Sequence, residues 1–439
     1  MKITFMGAGS CVFAKNVLGD TMLCPSLNNA EIALYDIDKD RLEEAYVLIT
    51  RLNENVNENR ATIKKYLGEV ERKDALRDAN FVINAIQVGG YDPCTILDFE
   101  IPKKYGLRQT IGDTLGIGGI FRALRTIKVM QEFANDMEEV CPNAWFLNYT
   151  NPMAILTGYM QRYTKVKTIG LCHSVQVCVP ELLKALDMDV KHEDTIYNIA
   201  GINHMAWLLN ITDKQGNDLY PEIKRRAKEK NATEKHRDMV RYDYMDKFGH
   251  YCTESSEHNA EYSALYIKPG REDLIEKFNI PLDEYPRRCV NQIRDWKNEY
   301  QNLLAGGKIT HERSREYASR IMEAMVTDVP YMIGGNVINN GAISNLPAEA
   351  CVEVPCVVRA NGITPTRVGD LPLQLAAMNS LNVHVQLLTI EAARTKDMSF
   401  VYQAALVEPH TAAQLSTDEI VAMCDELAAE HEKAGFPIF

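Results

Sequence analysis

The sequence predicts an α/β protein that has an N-terminal Rossmann-like domain for a dinucleotide and a C-terminal mixed α+β domain. A short apolar stretch stops at a glycine-rich turn and leads into a helical pattern and a second strand, as in a βαβ unit. Strand and helix patterns then alternate to about residue 204, and polar side chains repeatedly follow the predicted strands. We therefore expect two domains, over residues 1–196 and 197–439.

The composition is that of an ordinary globular chain. Of 439 residues, 25% are charged and 46% hydrophobic, and the net charge of -12 disfavours nucleic acid and anionic membranes as partners. Met1–Met6 runs directly into glycines, which predicts a strand rather than the apolar segment of a signal peptide. The 11 cysteines are scattered and form no CxxC pair, which is typical of a reducing compartment. We expect a cytoplasmic protein that binds neither nucleic acid nor a membrane.

The first βαβ unit contains the candidates for dinucleotide binding. The turn Gly7–Ser10 follows the first strand, and its glycines allow a pyrophosphate to approach the backbone near a helix N-terminus. Val12 occupies the place of the third glycine of the GxGxxG motif, so the turn is equally compatible with an ordinary loop. Asp36 ends the second strand, where a carboxylate binds the ribose hydroxyls of NAD and repels a 2′-phosphate, unless it is merely solvated. The candidates are Gly7, Gly9, Ser10 and Asp36.

Further polar residues follow the next strands. The strand Phe81–Ile86 carries Asn84 and is followed by Gln87, and both residues are candidates for cofactor contacts. A glycine-rich loop, Gly112–Gly119, precedes a long helix, and a strand that ends at Leu147 leads into a polar segment. Because ligands bind at the carboxyl ends of parallel strands, one edge of the sheet is expected to collect these groups. Two arginines in the first turns of the long helix, Arg122 and Arg125, fit a ligand site or a solvated helix face.

Two potential metal ligands also follow apolar runs that predict strands. Cys172 comes after Thr168–Leu171, and His204 comes after Ile196–Ile202. A thiolate and a neutral imidazole suit a divalent transition metal, and two protein ligands leave positions open for substrate or water. On this pair alone, a buried cysteine and a core histidine are the favoured interpretation, and only the rest of the chain reverses that preference.

The alternation of strands and helices fades beyond His204, where we expect the second domain. The patterns there predict charged helix over 220–246, a polar segment over 253–262, helix over 314–326, short strands near 332–334, 351–358 and 367–368, and helices over 373–432.

Taken together, the motifs of the whole chain resemble one family. They are Gly7–Ser10, Gly112–Gly119, Asn148–Pro152, Cys172–Val175, Gly201–His204 and Glu254–His258. The chain resembles the NAD- and metal-dependent family 4 glycoside hydrolases, and within them the α-galactosidase branch. The triplet His173-Ser174-Val175 after the cysteine is similar to the galactosidase form of the motif rather than to the forms of the phospho-sugar branches.

The resemblance implies a redox-assisted elimination rather than the two-carboxylate mechanism. NAD⁺ would take a hydride from C3 of the galactose, and a metal on Cys172 and His204 would polarise the resulting ketone. A base would remove the C2 proton, and His173 would protonate the glycosidic oxygen, unless it only supports the cysteine. Water addition and return of the hydride would complete the cycle. Affinity order favours zinc at such a site, whereas the family resemblance favours Mn²⁺, which we take as the expected metal.

The remaining roles also come from the resemblance. We expect Tyr262 to be the base and His258 to be the alternative, because both lie in the polar segment after Glu254. Sugar contacts are expected from Asp113, Asn151 and Arg287, although Arg287 is equally compatible with the surface. The expected partner is a small-molecule α-galactoside, and the family resemblance implies a homo-oligomer, either a dimer or a tetramer.

Four other functions fit part of the same sequence. α-Galacturonidase and α-glucosidase are the close alternatives among hydrolases. A dehydrogenase of the lactate/malate type shares the predicted fold but would consume NAD in proportion to product, and it needs no Cys172–His204 pair. A non-catalytic NAD-binding sensor would need neither this pair nor His173.

Overall fold

The computed structural model describes residues 1–304 and 307–439. The strands are β1 (Lys2–Met6), β2 (Glu31–Asp36), β3 (Thr62–Leu67), β4 (Phe81–Asn84), β5 (Trp145–Asn148), β6 (Lys167–Gly170), β7 (Thr195–Ile202), β8 (Met205–Asp213), β9 (Tyr251–Cys252), β10 (Tyr331–Ile338), β11 (Cys351–Arg359) and β12 (Gly362–Pro365). The α-helices are α1 (Cys11–Met22), α2 (Lys39–Asn57), α3 (Gly68–Leu76), α4 (Ile96–Lys104), α5 (Gly116–Val140), α6 (Met153–Tyr163), α7 (Ser174–Ala185), α8 (Tyr220–Thr233), α9 (Met239–Phe248), α10 (Ser256–Glu261), α11 (Glu272–Lys277), α12 (Glu284–Leu304), α13 (Ala318–Thr327), α14 (Leu373–Thr395), α15 (Met398–Val407), α16 (Pro409–Ala412) and α17 (Thr417–Lys433).

The N-terminal strands form the parallel sheet of a Rossmann fold. Their order is β3-β2-β1-β4-β5-β6, and every neighbouring pair in this series is parallel. This order is the one that dinucleotide-binding domains of this class share. The predicted fold class is therefore confirmed, with the ends of β1, β2, β4, β5 and β6 at one edge.

Apolar side chains cover both faces of this sheet. On β4, Phe81 and Ile83 belong to one buried cluster, whereas Val82 belongs to another on the opposite face. Side chains alternate across a strand, so a strand that is buried on both faces carries a continuous apolar run. β1 and β4 can be predicted from the sequence because they carry such runs. None of the helices in the described ranges is long and apolar enough to span a membrane.

The C-terminal strands extend the same sheet in antiparallel fashion. The order continues β10-β11-β7-β8-β9, and β10 joins β6 through the pairing of Asn336 with Gly170. β12 pairs with β11 outside this path. The two halves thus share one sheet of 12 strands within the described residues. The predicted boundary between residues 196 and 197 falls inside β7, and the division into two domains stays a prediction.

The structure corrects three details of the sequence-based interpretation. β3 was not predicted because its residues are mostly exposed and polar, as befits the edge of a sheet. The charged segment 220–246 contains two helices, α8 and α9, rather than one. The short strand expected near residues 367–368 lies instead at Gly362–Pro365, where it pairs with β11.

Candidate active site

The turn after β1 approaches the next strand of the sheet too closely for any residue but glycine. Gly7 has a positive φ of 86°, and a Cβ there would lie 2.8 Å from the carbonyl oxygen of Ala85. The N–H groups of Gly7 and Ala8 both donate to the carbonyl oxygen of Tyr35, each at 3.0 Å. The turn is therefore pinned between β2 and β4, and α1 begins at Cys11 immediately beyond it.

Asp36 and the second glycine meet in this turn. The N–H of Gly9 donates to Oδ2 of Asp36 at 2.7 Å, and the N–H of Asp38 donates to Oδ1 at 3.0 Å. Ser10 is exposed and precedes α1, and its N–H donates to the carbonyl oxygen of Gly7 at 3.0 Å. A carboxylate accepts more than one hydrogen bond per oxygen, so Asp36 retains capacity for a ribose hydroxyl. We call Gly7–Ser10 together with Asp36 the glycine cradle.

Asn84 and Gln87 lie at the neighbouring strand end. The amide of Asn84 is buried and donates to Oδ1 of Asn148 at 2.9 Å, linking the ends of β4 and β5. Its own Oδ1 is buried without a partner among the described residues. Gln87 donates to Oγ1 of Thr95 at 3.4 Å, a long hydrogen bond. The sheet edge thus offers an unused buried acceptor next to the glycine cradle.

The second cluster is the candidate metal centre, which consists of Cys172, His204 and Glu254. One ligand atom from each residue lies within 4.8 Å of the other two, and Nε2 of His204 is 3.6 Å from Oε2 of Glu254. Cys172 and His204 are the two ligands that the sequence predicts, whereas Glu254 is a third ligand candidate that only the structure reveals, although it lies in the motif Glu254–His258. His204 and Glu254 both have positive φ, 62° and 71°, which is uncommon outside glycine and typical of strained functional positions.

The pKa values of His204 and Glu254 suit the binding of a cation. Burial raises the pKa of the Cys172 thiol well above its usual value and lowers that of His204 to about 4. Burial acts to raise the pKa of Glu254, but the imidazoles of His204 and His258 lower it to about 2. The centre therefore holds a neutral imidazole and a carboxylate. A divalent cation would in addition deprotonate the thiol.

The two candidate bases and one candidate sugar contact surround the metal centre. The hydroxyl of Tyr262 lies 3.2 Å from Nδ1 of His204. The ring of His258 packs edge-on against that of His204, with ring centroids 4.8 Å apart, and its Nδ1 is 2.8 Å from Oγ of Ser255. Asp113 brings Oδ1 to 3.9 Å from Nε2 of His258. The structure thus places Tyr262, His258 and Asp113 together, although they come from distant segments.

A cavity of about 470 Å³ opens beside the metal centre, and both Glu254 and His173 line it. His173 is exposed to this space and precedes α7. Arg287, by contrast, is not among the lining residues. It bonds to the carbonyl oxygen of Leu282 and to Glu284 on its own helix, and 53% of its side chain is exposed. Its neighbour Arg288 is the one that lines the cavity.

Both arginines of α5 are buried, which corrects the possibility that they form a solvated face. Arg122 lies 3.6 Å from Asp113 and donates to the carbonyl oxygen of Asn151 at 3.1 Å. Oδ1 of Asn151 is buried without a partner in the described ranges. Arg125 pairs with the buried Asp98 at 2.6 Å. Arg122 therefore joins two of the predicted sugar contacts, whereas Arg125 belongs to the core.

Glu261 is a further residue that sequence reasoning missed. Its carboxylate accepts from the N–H groups of Thr110, Ile111 and Gly112 at 2.7, 3.2 and 2.7 Å, so it holds the start of the glycine-rich loop that carries Asp113. A buried carboxylate that is bound by three amides organises backbone. Its place in the polar segment before Tyr262 was the available signal.

The fold and these two clusters define a class: a Rossmann-fold enzyme that combines a dinucleotide cradle with a metal-ligand centre. Family models described as "Family 4 glycosyl hydrolase" and "Family 4 glycosyl hydrolase C-terminal domain" match residues 2–188 and 199–411. The chain belongs to the family 4 glycosyl hydrolases, as its motifs predicted.

Several relatives are similar along nearly their whole length. An alpha-galactosidase of Bacillus subtilis (strain 168) is 60% identical over 430 residues, which covers 98% of each chain. An alpha-galactosidase of Rhizobium meliloti (strain 1021) is 34% identical and covers 98% of this chain and 88% of its own. An alpha-galacturonidase of Thermoanaerobacter italicus is 29% identical, with 93% and 92% covered.

Two solved structures share the fold. The putative glucosidase lplD from Bacillus subtilis superimposes with a TM-score of 0.86 at 24% identity, covering 97% of this chain and 99% of its own. The second is the 6-phospho-beta glucosidase from Thermotoga maritima, which was solved with manganese, NAD+ and glucose-6-phosphate. It superimposes with a TM-score of 0.79 at 21% identity, covering 99% of both chains.

Proposed function

We propose that this enzyme is an α-galactosidase that hydrolyses terminal α-galactosides of the melibiose type with the help of NAD⁺ and Mn²⁺. The observation that carries the proposal is the metal centre of Cys172, His204 and Glu254, which adjoins a cavity that also holds His173. The choice of α-galactoside is supported by the 60% identity to the Bacillus subtilis alpha-galactosidase. The carbohydrate is the only partner that the proposal requires.

The glycine cradle fits a dinucleotide. Its two glycines sit where a Cβ would meet backbone or side-chain atoms within 3.0 Å, and the N-terminus of α1 lies next to them. Peptide N–H groups at such a terminus attract a pyrophosphate. Asp36 would accept from the ribose hydroxyls, and Asn84 and Gln87 would contact the nicotinamide half of the cofactor near the carboxyl end of β4.

The donor set of the metal centre fits a divalent cation, since it combines sulfur, nitrogen and oxygen ligands in a buried setting. When bound, NAD supplies reversible hydride transfer, and the metal supplies a Lewis acid for the sugar oxygens. Three protein ligands leave positions for those oxygens. Asp113 and Asn151 would hold the remaining hydroxyls. The position of Arg287 does not support a sugar contact, since its guanidinium bonds to Leu282 and Glu284 at the start of its own helix.

We assign proton donation at the glycosidic oxygen to His173. Its imidazole is exposed in the cavity and has no hydrogen bond that would occupy it among the described residues. An imidazole can donate a proton to the leaving group from a ring N–H and regain one from solvent. Its neighbours are held firmly, because the hydroxyl of Tyr317 bonds to both the N–H and the carbonyl oxygen of Cys172.

Tyr262 is the proposed base for the C2 proton. Burial and the carboxylates of Asp113, Glu261 and Glu254 raise its pKa well above the usual value. A divalent cation in the metal centre would oppose this rise. If His204 binds that cation through Nε2, its Nδ1–H points at the phenol oxygen at 3.2 Å and favours the phenolate. His258 remains the alternative base.

The test is release of nitrophenol from a panel of nitrophenyl α- and β-glycosides, with and without NAD⁺, Mn²⁺ and a thiol reductant. We expect α-galactoside cleavage to require all three additions, with no accumulation of NADH because the hydride returns to the sugar. NADH formed in proportion to product would instead identify a dehydrogenase. Preferred cleavage of an α-glucoside or α-galacturonide would assign the enzyme to a different branch of the family.

Isotope exchange tests the proton transfer itself. Elimination removes the C2 hydrogen and returns a proton from the base or from solvent, whereas direct displacement leaves it in place. Hydrolysis of an α-galactoside in D₂O is therefore expected to yield galactose with deuterium at C2. Galactose that retains only hydrogen at C2, from an enzyme whose base exchanges freely with solvent, would contradict the elimination.

We further propose the predicted domain division at residues 196/197, a cytoplasmic location and a dimer or tetramer. The division is supported by the two family matches, because the N-terminal match ends at residue 188 and the C-terminal match begins at residue 199. The location is supported by the 11 cysteines, all free and buried, as expected in a reducing compartment. The oligomer rests on the family resemblance alone, and light scattering of the purified enzyme measures it directly.

A further inference from the structure

We propose that Glu316 makes this site select neutral α-hexosides and reject hexosides that carry an anionic group, such as galacturonides. Glu316 lines the same cavity of about 470 Å³ as His173 and Glu254. The inference rests on the proposed α-galactosidase function and names the residue that separates it from the galacturonidase relatives.

Glu316 differs from the other charged side chains of the cavity wall in its ion pairing. Most of its ionised side chains neutralise one another. The pairs are Glu181 with Arg237 and Arg315 (3.5 and 3.0 Å), Asp238 with Arg241, and Glu257 with Arg288 (3.2 Å). Glu254 faces the imidazoles of His204 and His258 in the metal centre. Each arginine of the wall thus pairs with a carboxylate, and the two mostly exposed ones, Arg237 and Arg315, share Glu181.

Glu316 has no such counterion. Among the described residues it forms no ion pair, and its Oε2 is buried without a hydrogen-bond partner. Burial raises the pKa of this carboxyl, and the imidazole of His173 acts in the opposite direction. A buried acceptor without a donor costs free energy. A sugar hydroxyl that donates to Oε2 would remove this cost, so the position favours a neutral, hydroxyl-bearing ring.

The backbone on both sides of Glu316 is anchored, so the point from which its side chain enters the cavity is fixed. The buried Asp20 of α1 accepts from the N–H and the hydroxyl of Ser314 at 2.8 and 2.6 Å, and from His311 at 2.8 Å. Oγ of Ser314 in turn accepts from the N–H of Glu316 at 3.1 Å. On the other side, Tyr317 is bonded to the backbone of Cys172, next to His173. Glu316 is therefore a built part of the cavity wall.

An anionic substrate meets an unfavourable field in this cavity. A sugar carboxylate that approached Glu316 would face a second carboxylate in a partly buried space, where like charges repel more strongly than in water. A hydroxyl of a neutral hexoside at the same place would instead donate a hydrogen bond to Oε2 of Glu316. Rejection by an uncompensated charge is a common way to separate substrates of similar shape.

The test compares nitrophenyl α-galactoside with nitrophenyl α-galacturonide as substrates of the holoenzyme, with NAD⁺ and Mn²⁺ present. In Glu316→Gln we expect kcat/KM for the galactoside to fall and the ratio of galacturonide to galactoside to rise by at least about tenfold. The matched control is Glu312→Gln, which removes the same charge from an exposed position of the same segment, outside the cavity. Its ratio is expected to stay at the wild-type value.

Inhibition by the free sugars gives a second readout that does not depend on turnover of the test substrate. Galacturonic acid is expected to inhibit Glu316→Gln about tenfold more strongly, relative to galactose, than it inhibits the wild type. Glu316→Ala supplies a second neutral variant if the first does not fold. Equal effects on both sugars, or an equal shift in Glu312→Gln, would overturn the inference. A wild type that does not cleave the α-galactoside at all would instead refute the proposed function.

Discussion

The glycine cradle and the metal centre are built in opposite ways. The cradle comes from one βαβ unit and is formed mostly by backbone, with Asp36 bonded to the N–H of Gly9 at 2.7 Å. The metal centre draws Cys172, His204 and Glu254 from three separate segments, and each contributes a side-chain atom. A site made of backbone is disturbed mainly where a new side chain would obstruct it, as at Gly7, whereas a site made of three side chains loses a ligand with each substitution.

The two regions also differ in electrostatic character. Burial lowers the pKa of His204 to about 4, and the pKa of Glu254 falls to about 2 against the effect of burial, because two imidazoles adjoin it. Such displaced values mark positions that are prepared for a specific charge. The metal centre should therefore be the more sensitive region in activity measurements, and the cradle the more tolerant one.

The largest effect is expected from loss of the thiolate. Cys172→Ser removes the softest ligand of the metal centre, and we expect metal-dependent activity to fall by more than about 100-fold, since even residues that only support metal ligands cost 10- to 100-fold. Equilibrium dialysis with Mn²⁺, beside the galactosidase assay, measures it. The control is Cys178→Ser, a buried cysteine of α7 that is not part of the centre. Near-normal metal binding by Cys172→Ser would reduce this residue to a core cysteine.

The next effect concerns the base. Tyr262→Phe deletes the hydroxyl beside His204, and turnover is expected to fall by about 100-fold or more, together with deuterium uptake at C2. Tyr266→Phe is the control, because its hydroxyl bonds to Asp243, away from the centre. Full exchange in Tyr262→Phe would leave the elimination standing and assign the proton transfer to another residue, of which His258→Gln is the first to measure.

A smaller effect is expected in the cradle. Asp36→Ala removes the acceptor of the N–H groups of Gly9 and Asp38, and it also removes the charge that repels a 2′-phosphate. We expect about tenfold weaker NAD⁺ binding and a reduced preference over NADP⁺, since one good polar contact is worth on that order. Fluorescence titration with both nucleotides measures it, with the exposed Asp40→Ala as control. Unchanged affinity for both would place the adenosine ribose elsewhere.

The smallest effect on activity is expected outside both regions, in the buried network of Asp98, Arg125 and His431. Burial acts to raise the pKa of Asp98, but Arg125 and His431 outweigh it and hold the pKa below its usual value. The unfolded carboxyl regains a pKa of about 4. The stabilisation is therefore complete above that pH and is lost as pH falls through the lower folded value.

Asp98→Asn tests this network. Removing one partner of a buried pair costs about 3–5 kcal/mol, so urea unfolding at neutral pH should show a large loss, while the folded fraction keeps its dependence on NAD⁺ and metal. Glu100→Gln is the control, because it breaks only a surface pair with Lys103. A loss of stability no larger than that of the control would show that the network contributes little.

Much of the glycine cradle can be predicted from the sequence alone. The strand β1, the turn at Gly7, the position of Asp36 and the family motifs all depend on short-range spacing and on apolar runs, which a chain displays locally. Cys172 and His204 can be predicted as metal ligands for the same reason. Each follows a buried strand, and cysteine and histidine are common ligands of transition metals.

The remaining features depend on which segments meet in space. Glu254 completes the metal centre, and Arg288 rather than Arg287 reaches the cavity. Glu316 lies there with a buried Oε2 that has no hydrogen-bond partner among the described residues. Burial and ion pairing belong to the assembled sheet and its helices, not to a residue type or its spacing, because a charged side chain is matched or left alone by partners that lie far away in the chain. The sequence therefore carries the chemistry of this enzyme, and the packing of its two halves selects which charges take part in it.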